Sequence, residues 1–82
     1  MKYYTYVLLC SDGSLYTGFT NDIENRLEAH NSGKGAKYTR GRLPVRVMYK
    51  ETFNDESSAR KREFEIKKWD RKKKIRDLGL DI

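Results

Sequence analysis

The sequence has few of the features that would tie a chain to a secretory route or to a membrane. Its one cysteine, Cys10, cannot form an internal disulfide, so the fold does not depend on an oxidising compartment. No stretch approaches the roughly 20 apolar residues of a membrane span. The tyrosine-broken N-terminus MKYYTYVLLC also lacks the pattern of a signal peptide. These absences predict a cytoplasmic protein without a membrane partner.

The chain is also too short for two domains. Its 82 residues suit one hydrophobic core, and no repeat or linker interrupts them. We therefore expect a single domain over residues 1–82. Because a core of this size is small, each polar residue on a core-facing stripe requires an explanation.

Negative charge is scarce relative to positive charge. Eighteen Lys and Arg against twelve Asp and Glu give a formal charge of +6. Residues 34–50 contain six basic side chains and no acidic one, and residues 60–76 contain ten basic and three acidic ones. A basic surface suits a polyanion, because binding neutralises phosphates and releases counterions. The alternative is a solvated surface that only aids solubility.

The first twenty residues predict a β-hairpin. Residues 3–10 are aromatic and β-branched in their first half, and the turn Ser11-Asp12-Gly13 leads into SLYTGFT. The length of the loop decides which faces the tyrosines occupy. A three-residue loop with Gly13 in the left-handed conformation puts Tyr6 and Tyr16 on one face, whereas a two-residue loop separates them.

Capping residues, glycines and apolar alternation define the remaining elements. They are a helix from an Asn21 or Asp22 cap to about residue 32, a basic loop at 33–43, a strand near 45–53, a helix from an Asn54 or Asp55 cap to about residue 68, and a helix at 71–78. The order ββαβαα predicts an α+β fold, in which helices flank a three-stranded antiparallel sheet.

Two ionisable residues lie on the sheet-facing side of the first helix. At about 100° per residue, Arg26 and His30 fall within about 60° of Ile23, which marks the apolar stripe together with Leu27. The plain interpretation is that Arg26 borders the core with its guanidinium in solvent. His30 would then simply favour the helix C-terminus.

A carboxylate lies on the buried stripe of the second helix. Glu63 falls between Ala59 and Ile66, where burial is costly unless a cation pairs with it. The plain interpretation is a salt bridge, with Arg26, Arg60 or Lys67 as possible partners. The functional one is a ligand for a divalent cation, which often binds only one or two protein carboxylates and fills its other positions with water.

The chain has six tyrosines in 82 residues, and most of them are expected to pack on strands or on the faces of the hairpin. Tyrosine is a poor base at its usual pKa of about 10, but nearby cations favour the phenolate. Tyr6 or Tyr16, beside Arg26 and a metal ion at Glu63, would be in such a setting.

Together these residues resemble the GIY-YIG nuclease family, and most closely its small stand-alone members related to the excinuclease C nuclease module. Tyr4-Thr5-Tyr6 corresponds to the first half-motif, with tyrosine where the motif has glycine, and Tyr16-Thr17-Gly18 to the second. The helix NDIENRLEAHN carries Arg26 at the family's catalytic arginine. ARKREFEIKKW places Glu63 at the metal-binding glutamate, and GKGAKYTRGR resembles a loop of the stand-alone members.

The resemblance implies an endonuclease that uses one Mg²⁺ or Mn²⁺ ion to hydrolyse a phosphodiester, with DNA as the favoured substrate and repair or processing as the context. Tyr6, Tyr16, Arg26 and His30 would be catalytic and Glu63 would hold the metal, while the choice of base between the two tyrosines stays open. The residues expected to contact nucleic acid are Lys34, Lys37, Tyr38, Arg40, Arg42, Lys67, Lys72 and Lys73.

Two other functions are compatible with the same residues. One is a nucleic-acid-binding module that is not catalytic, or that needs a protein partner for targeting, since the chain carries no second DNA-binding domain. The other is a structural or protein-interaction domain with an incidental charge pattern. The latter predicts no binding to nucleic acid near physiological salt.

Overall fold

The computed structural model describes all 82 residues and confirms the predicted fold. Its three strands form one antiparallel sheet in the order β2-β1-β3. The elements are β1 Tyr3–Leu9, β2 Leu15–Thr20, α1 Ile23–Asn31, α2 Lys37–Arg40, β3 Arg46–Phe53, α3 Glu56–Lys67 and α4 Arg71–Leu78. The short helix α2 is an addition to the basic loop expected at 33–43. It is a single turn without a side-chain cap, so neither periodicity nor capping could indicate it.

The hairpin has the three-residue loop that brings the two tyrosines together. Gly13 adopts φ +84°, and its N–H donates to the carbonyl of Cys10 at 3.0 Å. The register that follows pairs Tyr6 with Gly18 and Leu8 with Tyr16. Since paired residues point to the same face, Tyr6 and Tyr16 share one face of the sheet.

Aspartates begin three of the helices. The side chains of Asp22, Asp55 and Asp70 each accept a hydrogen bond from the backbone N–H three residues further on. Both positions where the sequence left Asn or Asp open are therefore capped by Asp. A cap of this kind typically contributes about 1 kcal/mol to stability.

The sheet carries apolar contacts on both faces. Tyr6 and Leu8 of β1 belong to a cluster against which Ile23 and Leu27 of α1 pack. Val7, which points the other way, clusters with Ile66 of α3 and with Leu80. The hydroxyl of Thr5 donates to the carbonyl of Ala59 at 2.7 Å and so ties α3 to the central strand. None of the helices is both long and apolar enough to cross a bilayer.

Candidate active site

The centre of the candidate site is a buried pair of side chains, Tyr6 from β1 and His30 from α1. Their exposed fractions are 2% and 0%. Tyr6 Oη lies 3.1 Å from His30 Nε2, and Arg26 Nε donates to the same phenolic oxygen at 3.4 Å. The plain interpretations of Arg26 and His30 are thus wrong in this structure. Both side chains point at the tyrosine rather than only at the core border or the helix end.

Burial, more than charge, determines the protonation of this pair. It raises the pKa of Tyr6 above its ordinary value, and the hydrogen bond from Arg26 only partly offsets this rise. Burial, followed by the charge of Arg26, lowers the pKa of His30, so the imidazole is neutral at pH 7. The sequence argument expected neighbouring cations to favour the phenolate of Tyr6. In the structure desolvation outweighs Arg26, and Tyr6 rests as a neutral phenol.

The lowered pKa of His30 predicts a pH dependence of stability. As the pH falls below the ordinary value of 6.5, the unfolded chain binds a proton that folded His30 does not. The free energy of unfolding should therefore decrease as pH falls through about 6.5 and level off below the folded pKa. The full decrease equals about 1.4 kcal/mol multiplied by the difference between the unfolded and folded pKa values. Urea unfolding between about pH 7.5 and 5.5 measures this slope.

Since the chain has a single histidine, His30→Gln is the matched control for that measurement. This variant should lose the slope in the same pH range, whatever its absolute stability. A slope of equal size in the variant would contradict the assignment to His30.

Tyr16 joins the pair through aromatic contacts. Its ring centre lies 6.4 Å from that of Tyr6 and 5.3 Å from the imidazole of His30. On its other side Tyr16 stacks on Tyr38 of α2, at 5.9 Å and an interplanar angle of 29°. The guanidinium carbon of Arg42 lies 4.1 Å from the centre of the Tyr38 ring. The Tyr38 ring therefore contacts both Tyr16 and Arg42, although the residue stays 41% exposed.

Arg42 also connects the loop to the hairpin turn. It donates to the carboxylate of Asp12 at 3.0 Å and to the carbonyl of Tyr38 at 2.7 Å. Of the residues expected to contact nucleic acid, Tyr38 and Arg42 thus have contacts within the protein that hold α2 against the site.

Gly18 and Gly35 lie so close to the Tyr6–His30 pair that neither position has room for a side chain. A Cβ atom at Gly18 would lie 2.5 Å from Tyr6 Oη, and one at Gly35 would lie 2.3 Å from His30 Nδ1. The motif YTG pointed to Gly18. Gly35 could not be distinguished from the other glycines of its loop, because the sequence does not show that this loop covers the imidazole.

Glu63 approaches from α3 on the opposite face of the sheet. Its side chain is 18% exposed and pairs with Lys67 Nζ at 3.2 Å. That amine lies 5.8 Å from the centre of the Tyr16 ring, so Glu63 and Lys67 lie at the β2 side of the site. Of the three ion-pair partners that the sequence allowed, Lys67 is the one observed. The negative charge of Glu63 also helps to raise the pKa of Tyr6, after burial and Tyr16.

The donor set around Glu63 fits one hard divalent cation. No group of three or more His, Cys, Asp or Glu side chains could hold an ion by itself. Mg²⁺, however, is commonly held by one or two carboxylates together with water and substrate phosphate oxygens. A single half-buried carboxylate can serve as such a ligand.

The remaining basic residues differ in whether their charge is paired within the protein. Lys34, Lys37 and Arg40 are exposed around α2 and make no ion pair, whereas Lys73 pairs with Asp77 at 2.6 Å. Lys72 is exposed on α4, whose first residue reaches the hairpin turn. One residue of the site was absent from the expected set: Thr39, which contacts His30.

Known proteins share both the sequence and the fold. The family model for the GIY-YIG catalytic domain matches residues 2–76 of the chain. A UPF0213 protein of Staphylococcus saprophyticus is 53% identical over 75 residues, which is 92% of each chain, and one of Bacillus pumilus is 57% identical over 80 residues, 98% of this chain and 80% of the relative.

Two solved structures agree with these matches. The solution NMR structure of a UPF0213 protein from Bacillus halodurans superimposes with a TM-score of 0.62 at 46% identity, and that of a protein from E. faecalis with 0.66 at 48%. Each comparison covers 96% of this chain and 84% of the other. The chain belongs to the GIY-YIG family, alongside small UPF0213 proteins.

Proposed function

We propose that this protein is a metal-dependent endonuclease that hydrolyses nucleic-acid phosphodiesters, with DNA as the favoured substrate. The observation that carries the proposal is the meeting of Tyr6, Arg26 and His30 in one hydrogen-bonded chain, with Glu63 at its margin. The nuclease character of the GIY-YIG family supports the same reaction class.

Each residue of this hydrogen-bonded chain has a role that such a reaction requires. Phosphoryl transfer depends mainly on positioning and on cations that stabilise the charge spreading over the phosphate oxygens. Arg26 supplies a fixed guanidinium beside Tyr6 Oη. Tyr6 supplies an oxygen that can accept a proton from water. As it does so, the Tyr6 hydroxyl can give its own proton to neutral His30.

Glu63 is the residue that would hold the metal ion. A divalent ion bound there would polarise a phosphoryl oxygen and lower the pKa of bound water. The protein's own contribution is a carboxylate held in a half-buried position by its ion pair with Lys67.

Cleavage of labelled plasmid, branched DNA and single-stranded RNA, with Mg²⁺ or Mn²⁺, tests the proposal. The comparison is between wild type and Arg26→Gln, with Arg76→Gln, exposed on α4, as the matched control. We expect cleavage by wild type and by the control, and a loss of about 10²–10³-fold in Arg26→Gln, the range for removing one charge-stabilising donor. Equal cleavage by all three proteins would overturn it.

A second candidate function is a nucleic-acid-binding module without catalysis. The free basic side chains around α2 favour it, because they would bind phosphates whether or not the site is active. Binding without any metal-dependent product, on every substrate tested, would support this alternative over the nuclease.

Both candidate functions predict binding that depends on salt through the α2 segment. In the triple variant Lys34→Gln, Lys37→Gln, Arg40→Gln, the slope of log K against log[salt] for duplex DNA should become shallower by roughly 0.9 for each phosphate that the protein no longer neutralises. Lys2→Gln is the control, since Lys2 is bonded to Asn54 at 2.8 Å, away from α2. Fluorescence anisotropy over a range of salt concentrations measures the slopes, and identical slopes would contradict the role of α2.

A further inference from the structure

The segment 33–40 encloses the imidazole of His30 and provides one of its two hydrogen-bond partners. His30 Nδ1 lies 2.8 Å from Thr39 Oγ1, and the Thr39 hydroxyl lies 2.9 Å from the carbonyl of Ala36. The close approach of Gly35 to Nδ1 leaves no room for another partner at this nitrogen. The ring therefore has one defined neighbour at each nitrogen, Thr39 at Nδ1 and Tyr6 at Nε2.

Counting protons along these contacts favours one tautomer. A neutral imidazole has one N–H, and a hydroxyl has one proton to donate. A carbonyl can only accept a hydrogen bond, and a guanidinium can only donate one. The carbonyl of Ala36 accepts from the backbone N–H of Thr39 at 3.1 Å and from its hydroxyl at 2.9 Å, and a hydroxyl that donates there accepts from Nδ1–H. Nε2 is then the acceptor, and Tyr6 donates to it.

The Tyr6 end of the hydrogen-bonded chain favours the same tautomer but does not fix it alone. Arg26 Nε can only donate, so Tyr6 Oη accepts from it at 3.4 Å. If His30 were protonated at Nε2, the phenolic oxygen would face two N–H donors and its own proton would lose its acceptor. The hydroxyl of Thr39 would at the same time turn its proton from the Ala36 carbonyl to Nδ1, and that carbonyl would keep only the Thr39 backbone N–H at 3.1 Å. A buried phenol whose proton has no acceptor is costly.

We propose that Thr39 is a positioning residue that holds His30 in the Nδ1–H tautomer and thereby makes Tyr6, rather than Tyr16, the phenol that passes its proton to His30. The inference rests on the proposed nuclease function for its catalytic consequence, but the tautomer itself is a property of the free protein. Tyr16 meets the imidazole only through ring contact, at 5.3 Å between centres.

The proton balance of the step is complete. As the oxygen of water forms a bond to phosphorus, a water O–H bond breaks and its proton goes to Tyr6 Oη. The former proton of Tyr6 moves to His30 Nε2. The bond from phosphorus to the leaving oxygen breaks, that oxygen takes a proton from solvent, and the imidazolium of His30 returns one to solvent.

Thr39 supports this transfer through the direction of its hydrogen bonds. Both point away from the imidazole, from Nδ1–H to Thr39 and from Thr39 to the Ala36 carbonyl, so the acceptor dipoles face the ring. This orientation stabilises positive charge as it develops on His30.

The test compares wild type with Thr39→Val, which keeps the shape of the side chain without its hydroxyl, and with Thr39→Ser, which keeps the hydroxyl. The ¹⁵N shifts of the single histidine, in protein free of metal and nucleic acid at about pH 7.5, report the tautomer directly. We expect Nδ1–H in wild type and in Thr39→Ser, and a mixed or reversed tautomer in Thr39→Val. Nε2–H in wild type, or an unchanged tautomer in Thr39→Val, would overturn the proposal.

Cleavage by the same three proteins tests the catalytic consequence. Thr39→Val should cleave about 10–100-fold more slowly, the range for residues that orient a catalytic group, and Thr39→Ser should recover most of that loss. A changed tautomer with unchanged cleavage would overturn the catalytic part. Absence of cleavage by wild type would count against the nuclease function, and the NMR result would still decide the tautomer. Backbone amide spectra confirm that each variant is folded.

Discussion

Replacing Tyr6 with phenylalanine is expected to reduce metal-dependent cleavage by about 10²–10⁴-fold, the range for losing a group that transfers protons in the transition state. The substitution removes one oxygen and keeps the ring. That oxygen is the atom that Arg26 Nε approaches at 3.4 Å and His30 Nε2 at 3.1 Å. Single-turnover cleavage at saturating protein measures the chemical step apart from binding.

Tyr16→Phe is the matched control for this result. Tyr16 makes no hydrogen bond to Tyr6 or His30 and contacts both through its ring, which the substitution preserves, while its hydroxyl lies near Arg26. Its loss of cleavage should be clearly smaller than that of Tyr6→Phe, and the reverse order would contradict the assignment of Tyr6. Since Tyr6→Phe leaves a buried nitrogen of His30 without its partner, at a cost of about 1–3 kcal/mol, both variants should be compared where circular dichroism shows them folded.

Replacing Glu63 with glutamine is expected to abolish cleavage to the limit of detection, by at least about 10³-fold. Polarisation of a phosphoryl oxygen by a metal ion contributes several kcal/mol, and about 1.4 kcal/mol corresponds to each factor of ten in rate. The change removes the charge but keeps the shape of a half-buried side chain. Binding of Mn²⁺, followed by water relaxation or calorimetry, should weaken in parallel.

Glu65→Gln provides the control on the same helix. Its carboxylate is turned to solvent and pairs with Arg62, on the side of α3 that faces away from Lys67. This variant should cleave and bind Mn²⁺ as wild type does. Unchanged cleavage by Glu63→Gln in a preparation free of contaminating nuclease would contradict the role of Glu63.

Local chemistry was sufficient to predict most of the elements. Asp caps, left-handed glycines and period-two alternation act within a few residues, so the hairpin and the three longer helices could be predicted near their observed bounds. Helical periodicity also brought Arg26 and Glu63 to notice as charged residues on apolar stripes. The predicted elements and the positions of these two charged residues both follow from residue spacing within a single helix or hairpin.

The parts that could not be predicted depend on contacts between distant segments. His30 is fully buried because the loop carrying Gly35 and Thr39 folds over it, and no periodic pattern indicates that cover. The protonation of Tyr6 required a comparison of two opposing effects, burial and the Arg26 charge, and only the structure shows that burial is larger. For the same reason the sequence does not indicate that Tyr38, which is expected on the nucleic-acid surface and is 41% exposed, also contacts Tyr16 and Arg42.

The central position of β1 in the sheet also affects when a complete site exists during synthesis. Tyr6 and Tyr16 come together as soon as the first hairpin closes, because their strands are joined by a short turn. Glu63 comes after β3 in the sequence. The pairing of β3 with β1, which sets Lys50 opposite Tyr6, must close a much longer loop and is therefore slower to form. A nascent chain on the ribosome, or one that has lost β3 and α3 by partial unfolding, therefore holds the tyrosines without the carboxylate. Under the proposed nuclease function, cutting of nucleic acid would be confined to chains that have finished folding.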